Sequence, residues 1–585
     1  MTSSGDAQRS TRQSLLVAFA AVAVALVVAL PQLGRPLVFD EIEFPLVAQG
    51  VLHHGVPLSL PGEDPFVRRN ALEGMGYPGH YGLWHPPLYV YMLAGAYKVA
   101  GVSVGVARGF GIFCGLVALG ILWMWGRDIE RRHAPASPIA MWAVVLCALN
   151  PYFLQALLAI DIDNTLLMPV LLLFLWRWES ASDNNRSIAL PKLAVLCVLF
   201  ALCLATKLTT PALVGGALGL MYIARRDWSR VLELLGVGVG GVALFIIAWL
   251  AYVQVAHVPA DFFLKFTFLN KTKYFLHGDS GVSRLNTSLR FILWSVPGFA
   301  LLTAWAMLRS VQLRDRARVA VQVLSMAAFS VAIAYTIWVP MIHGKYKAIV
   351  IPVAAILIAT VFRAEMSTLR WISEPWRLVG WTLACAMFAW FVVGDLFLVP
   401  STVDRMMTGS LIQRALHDPR LAQWLLAPLP IIIGPWVATG RSVPSPTRWF
   451  AAFVGAYLGF AVAQNVRSVT TNYSPLSFMV RPGFSSAADF LRESCGAGLA
   501  LTAKEMGYAA TNRCKTIPID EMEMFPIKDD EDLRAVILAN SNIEWVVESR
   551  SFPYFKDFPK SWGAVENNFE TAVRFGDYTV FRRKR

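Results

Sequence analysis

Residues Leu37–Tyr91 read LVFDEIEFPLVAQGVLHHGVPLSLPGEDPFVRRNALEGMGYPGHYGLWHPPLYVY, a polar stretch set between an apolar run at Leu15–Leu30 and another at Val104–Trp125. It opens on Asp40 and Glu41, continues through His53, His54, Arg68 and Arg69, and closes on His85-Pro86-Pro87. An apolar run of roughly 20 residues crosses a bilayer as a helix. The flanks therefore read as membrane spans, and the stretch between them as a loop whose ionisable groups lie against a lipid surface. Carboxylates, imidazoles and guanidiniums gathered there suggest chemistry on a lipid-borne substrate.

Composition agrees with this reading. The chain of 585 residues is 56% hydrophobic and only 16% charged, with a mean hydropathy of +0.51, too apolar for a soluble protein with one ordinary core. About 13 apolar runs have roughly spanning length. The expected fold class is an all-α polytopic membrane protein of about 13 transmembrane helices with a small extracytoplasmic α/β domain at its C-terminal end. The formal charge of +13 does not signal nucleic acid. The arginines fall in short loops between apolar runs, where the positive-inside rule puts them, and no basic face is interleaved with aromatics for stacking bases.

With the N-terminus in the cytoplasm, the run Leu15–Leu30, which follows Arg9 and Arg12, is a first span; without a clear small-residue cleavage site it reads as retained. It delivers Asp40 outside. Pro86–Ala100 is short and carries Lys98, so it reads as an interfacial helix. Val104–Trp125 returns to Arg127, Arg131 and Arg132. A third span, Ile139–Leu158, leads out to Asp161-Ile162-Asp163-Asn164, and a fourth returns to Arg177 and Arg186. The fifth reaches Lys207 in ATKLTTP, and the sixth returns to Arg225, Arg226 and Arg230. Later runs place a loop with Lys265, Lys271, Lys273, His277 and Arg284 outside, then His343, Lys345 and Lys347. Arginine-rich short loops thereby share one side, and the acidic and histidine-bearing loops share the other. Residues 1–466 read as the transmembrane domain, with outer loops at 34–103 and 254–290. Residues 467–585 read as an extracytoplasmic α/β domain. There Ala487–Cys495 and Asp529–Ala539 have helical patterns, and Leu499–Ala503, Lys515–Ile519 and Trp545–Glu548 read as strands. No glycine-rich phosphate loop accompanies them.

Five of the seven cysteines (Cys114, Cys147, Cys197, Cys203, Cys385) lie in apolar runs and read as packing residues. Cys495 and Cys514 share the polar C-terminal segment and are expected to form a disulfide if it lies outside the cytoplasm.

Asp40 and Glu41 sit directly after a span, bracketed by Phe39 and Phe44, whose apolar surface raises carboxylate basicity by desolvation. The bland reading is an ordinary acidic pair at a membrane exit. On a helix adjacent side chains diverge by about 100°, so one of the pair at most faces a site. Asp161 and Asp163 share a face only if the turn is extended, and spacing does not choose between them; a solvated turn with Asp163 or Asn164 capping the next helix is the alternative. Lys207, Lys271, Lys273, Arg284, Lys345 and Lys347 stand outside, against the general bias. Singly they read as headgroup-binding residues, and several converging would hold a phosphate. His53, His54 and His85 do not have a metal-ligand spacing.

The order FDEIEF, WHPPLYVY, AIDIDNTLL, ATKLTTP and HGKYKAIVIP, followed by a polar C-terminal segment, resembles the GT-C-type glycosyltransferases that use polyprenyl-phosphate sugars. Within them it is similar to the branch of the lipid A aminoarabinose transferase and the protein O-mannosyltransferases. The resemblance implies a multi-pass enzyme of the cytoplasmic (inner) membrane with its active site and C-terminal domain extracytoplasmic. It would move a sugar from a polyprenyl-phosphate donor to a hydroxyl of a lipid, glycan or protein, with inversion. Asp40 would be the general base, with Glu41 beside it, and Asp161 or Asp163 the second acidic position. Lys207, Lys271, Lys273, Arg284, Lys345 and His85 would contact the donor phosphate. His85 stands where the aminoarabinose transferase has a lysine. No cofactor is required by this scheme unless the leaving phosphate needs a divalent cation, in which case Asp40 and Asp163 would hold it. Membrane lipids are the expected surroundings, and nucleic acid is not an expected partner. Other classes with similar outward features are a lipid-linked polysaccharide ligase or polymerase and a lipid or solute transporter. A transporter favours repeated halves and broken helices at mid-membrane, and no internal repeat is visible.

Overall fold

The computed structural model describes residues 4–37, 40–59, 66, 80–83, 85–135, 137–183, 187–258, 297–313, 315–338, 348–369, 375–393, 446–470, 482–496, 498–510, 515–519, 529–550, 553–555 and 558–584. In chain order the first elements are α1 (Ser4–Ala29), α2 (Asp40–His54), β1 (Leu58–Ser59), β2 (His80–Tyr81), α3 (Leu88–Ala100), α4 (Val104–His133), α5 (Ile139–Ala148), α6 (Pro151–Leu158), α7 (Leu167–Ser182), α8 (Leu190–Thr206), α9 (Thr209–Ala224) and α10 (Trp228–Ala256). Five further strands follow, β3 (Leu499–Thr502), β4 (Lys515–Pro518), β5 (Ile543–Ser549), β6 (Phe569–Phe575) and β7 (Tyr578–Arg583). The chain divides into two compact units.

The first unit takes residues 1–33, 84–89 and 108–476 and is helical. Among the described residues five helices are long and apolar enough to cross a bilayer: Arg12–Gln32, Val104–His133, Trp228–Ala256, Arg316–Ala334 and Trp449–Val469. The bent pair α5 and α6 makes a sixth if taken as one span. Expected spans within 259–296 and 394–445 lie outside the described residues. Helix Val350–Val361, VIPVAAILIATV, is buried at every position. A helix apolar all round belongs inside a bundle, and this one packs on α5 and on Arg316–Trp338. In α10, by contrast, Leu232, Leu235, Val239, Ile247, Leu250 and Val255 are exposed, an apolar face suited to acyl chains. At the arginine-rich end, Arg132 of α4 pairs with Glu179 at 2.7 Å and Asp183 at 2.8 Å, tying α4 to the end of α7.

The sequence reads Ile139–Leu158 as one span, and the structure breaks it in the middle: α5 and α6 meet at a bend of 65°. The cause is local. Asn150 caps α6, its Oδ1 accepting from Tyr152 N at 3.0 Å and Phe153 N at 3.2 Å, and Pro151 occupies the first helical position. The carbonyls orphaned at the end of α5 are met from helix Pro446–Thr470. Tyr457 Oη donates to Leu146 O at 2.5 Å, and Asn465 Nδ2 donates to Leu149 O at 3.1 Å.

The second unit joins residues 477–585 to residues 34–83 and 90–107. Its sheet has the order β4-β3-β5-β7-β6. The strands β4, β3 and β5 are parallel, and the β6-β7 hairpin extends the sheet antiparallel to β5. Helix Phe484–Ser494 covers one face, burying Phe484, Ala487 and Leu491 against Trp545, Val547 and Val580. The other face buries Leu533, Ile537 and Val565 against Leu501, Ile517 and Val546. Alternation along β5, Trp545 and Val547 to one side and Val546 to the other, divides the two layers. Asp529 caps helix Asp530–Ala539, accepting from Glu531 N and Asp532 N at 3.0 Å. Gly483 has a φ of 93° and lies so close to Phe575 O that a side chain there would collide with it. The early segment contributes strands as well. β1 and β2 form a separate small antiparallel pair, and Phe66 bridges in parallel to Thr516 of β4. Cys495 is disulfide-bonded, and the other five cysteines of the described residues are free. Its expected partner, Cys514, lies outside the described residues.

One half-buried acid in this unit sets a pH dependence. Glu548, near the end of β5, accepts from Tyr554 N at 2.6 Å, and burial pushes its carboxyl up to about 8. An unfolded glutamate titrates near about 4.3. Between those values the folded side chain keeps a proton that the unfolded chain has lost. Its contribution is fully present below the unfolded value and is lost as pH rises through about 8. Thermal unfolding should therefore occur at lower temperature as pH is raised from about 5 to about 8, and Glu548→Gln should flatten that slope. An unaltered slope in the variant would show that Glu548 does not cause it.

Candidate active site

The acidic turn of the first unit is built from the bend outward. Arg108, fully buried in the first turns of α4, donates from Nη1 to Leu158 O at 2.5 Å, meeting the last carbonyl of α6 with a positive charge. Gly111, one turn further along α4, sits where any side chain would meet Leu157 O. Backbone contact at this point fixes where α6 ends and the turn 159–166 begins. Within the turn, Asp161 Oδ1 accepts from Ile162 N at 2.7 Å, Thr165 Oγ1 donates to Asp161 O, and Ile162 O accepts from Leu167 N at 3.2 Å.

Asp163 is paired. Its Oδ2 meets Lys207 Nζ, with side-chain exposures of 7% and 5%, and its Oδ1 accepts from Thr210 Oγ1 at 3.2 Å. Lys207 ends α8 in extended backbone, and Thr210 lies in the first turn of α9, so the ATKLTTP corner closes on the acidic turn. The turn is buried: Asp161, Asp163, Asn164 and Thr165 are 4%, 7%, 1% and 0% exposed. Neither Asp163 nor Asn164 caps α7, whose N-cap is Leu166 with no side-chain bond. The solvated capping turn is thus not what forms. Among the described residues neither side-chain polar atom of Asn164 has a hydrogen-bond partner.

In the second unit Asp40 begins α2, and its side chain lies outside the described residues. Glu41 is 6% exposed and Glu43 is 3% exposed. Glu43 Oε1 is ion-paired with Lys504 Nζ. His85, in the first unit, is half-buried just before Pro86. Lys271, Lys273, Arg284 and Lys345 lie outside the described residues.

Among the described residues the structure brings together three of the predicted positions, Asp161 and Asp163 in one turn and Lys207 against it, and adds Arg108, Asn164 and Thr210. Thr210 was within sight in ATKLTTP. Arg108 was not, because an arginine near the start of an apolar run reads as an interfacial anchor. Among the described residues no three His, Cys, Asp or Glu side chains stand close enough to hold a metal ion. Asp163 Oδ2 is engaged by the Lys207 ammonium, and Asp40, the other residue expected to hold a cation, has its side chain outside the described residues.

Two solved structures similar to this chain are both ArnT from Cupriavidus metallidurans. The form bound to undecaprenyl phosphate matches with a TM-score of 0.57 at 16% identity, covering 96% of this chain and 97% of that one. The apo form matches with a TM-score of 0.56 at 17% identity over the same shares. Residues 84–252 match the family described as dolichyl-phosphate-mannose-protein mannosyltransferase, a segment that contains both Asp161-Asp163 and Lys207. No curated protein matches at a significant level. The chain is a multi-pass membrane protein that shares the overall fold of those ArnT structures.

Proposed function

We propose that the protein transfers a sugar from a polyprenyl-phosphate donor to an acceptor hydroxyl at the outer face of the cytoplasmic membrane, inverting the anomeric centre. The observation that carries this reading is the fold match, over nearly the whole of both chains, to a protein whose structure holds undecaprenyl phosphate. The buried Asp163–Lys207 corner within the mannosyltransferase-like segment supports it.

In this scheme the Asp40 carboxylate takes the acceptor proton as the hydroxyl oxygen attacks the anomeric carbon. The bond from that carbon to the phosphate oxygen breaks, and polyprenyl phosphate leaves with the electron pair. Its charge is met by Lys207, with Lys271, Lys273, Arg284, Lys345 and His85 as further contacts. Asp163 holds the Lys207 ammonium in its buried corner, and Asp161 shapes the same turn. Glu41 lies beside the base.

Thirteen spans put α2, the acidic turn and the C-terminal domain, residues 467–585, outside, with the arginine-rich loops in the cytoplasm. The disulfide at Cys495 suits an oxidising compartment. Mass spectrometry of envelope lipids and glycans, with and without the gene, tests the reading. Loss of one sugar from a lipid, glycan or protein, with its polyprenyl-phosphate donor accumulating, is the expected result. An envelope with no sugar missing would refute it.

A further inference from the structure

We infer that Lys504 and Glu43 are positioning residues for this reaction: their buried ion pair sets the acidic turn of α2 against the carboxyl end of the parallel strands. The inference rests on the proposed transferase reading, in which that turn carries the general base.

Glu43 follows Asp40 by three positions and Glu41 by two on α2. Its partner Lys504 opens the short helix Lys504–Ala509 directly after β3. β3 lies between β4 and β5 and is parallel to both, so Lys504 stands at the carboxyl ends of the parallel strands, where open α/β sheets place their functional groups. Both side chains are nearly sealed from solvent, Lys504 at 2% and Glu43 at 4% exposure.

Two features make the tie directional. First, Pro45 lies inside α2. A proline has no N–H to give to the carbonyl four residues back, here that of Glu41, so the turn bearing Asp40 and Glu41 is short of one backbone bond. Second, the far end of α2 is fixed differently. Gly50 sits where any side chain would strike Leu58 O, so the helix lies backbone to backbone on the β1 segment. One end of α2 is thus held by close packing, and the other by the ion pair. A buried ion pair adds little net stability over a neutral pair of the same shape, yet it enforces one geometry.

The double variant Glu43→Gln/Lys504→Met keeps roughly the volume of both side chains and removes both charges of the pair. It should unfold at the wild-type temperature while kcat falls at least tenfold and the donor KM stays within about threefold. Lys504→Arg, which keeps the charge, should retain kcat within about threefold. A merely structural pair would leave the double variant with wild-type kcat once its stability is intact, and that result would overturn the inference. Should the double variant fail to fold, Lys504→Arg decides. If it folds with kcat as low as Asp40→Asn, charge pairing is not what Lys504 supplies. Asp40→Asn serves as the control. Full activity in that variant refutes the transferase reading itself, whereas an inactive Asp40→Asn beside a fully active double variant refutes only the positioning role.

Discussion

Lys207→Ala should destabilise the protein by about 3–5 kcal/mol, the scale for removing one partner of a buried ion pair. The cause is what remains behind. With the ammonium gone, the Asp163 carboxylate, 7% exposed, keeps the Thr210 hydroxyl as its donor among the described residues, and a charge in that setting is strongly disfavoured. Asp163→Asn should also destabilise, because the Lys207 ammonium loses the carboxylate it is paired with. The double change Asp163→Asn/Lys207→Met should recover most of the loss, because a neutral pair no longer pays for desolvating two ions. Thermal unfolding of the detergent-solubilised variants, followed by loss of the monodisperse species, measures all three. Equal stability of Lys207→Ala and the parent would mean that the corner is not a closed ion pair.

Asp40→Asn carries the largest expected effect on rate. The amide keeps the size and much of the hydrogen-bonding shape of the carboxylate but cannot accept the acceptor's proton. Turnover should fall by about 100-fold or more, the usual range for a positioned general base. Donor binding should stay close to that of the parent, because the lost interaction acts in the transition state. Substitution at cations that meet the donor phosphate should differ in kind. They hold the anion before the reaction as well as during it, so their loss raises the donor KM along with lowering the rate.

Much of the architecture is legible in the residues because it follows from solvent. Runs such as Val104–Trp125 and Val231–Val253 announce their lipid surroundings, and α4 and α10 cover them. In the C-terminal segment the short apolar blocks at Leu499, Lys515 and Trp545 lie in β3, β4 and β5, and the acids at 529–532 open a capped helix. The hairpin β6-β7 is harder to read, since at the sheet edge most of β6 is exposed or half-buried. The bend at Asn150-Pro151 was signalled by an asparagine–proline pair, but the surrounding 20 residues are apolar enough to read as one span. What spacing does not show is pairing at a distance. Asp163 and Lys207 are 44 residues apart, and Glu43 and Lys504 belong to opposite ends of the sequence. Each looks like a solvated charge until the fold removes the solvent.

The most direct test of the central claim is a transfer assay on the purified protein in lipid nanodiscs, supplied with a polyprenyl-phosphate-linked sugar and an envelope acceptor extract. Wild-type protein should release polyprenyl phosphate in step with transfer of the sugar, and Asp40→Asn should do so at least about 100-fold more slowly while still binding the donor. Release at the wild-type rate by Asp40→Asn, or donor left intact by the wild-type protein, would contradict the account.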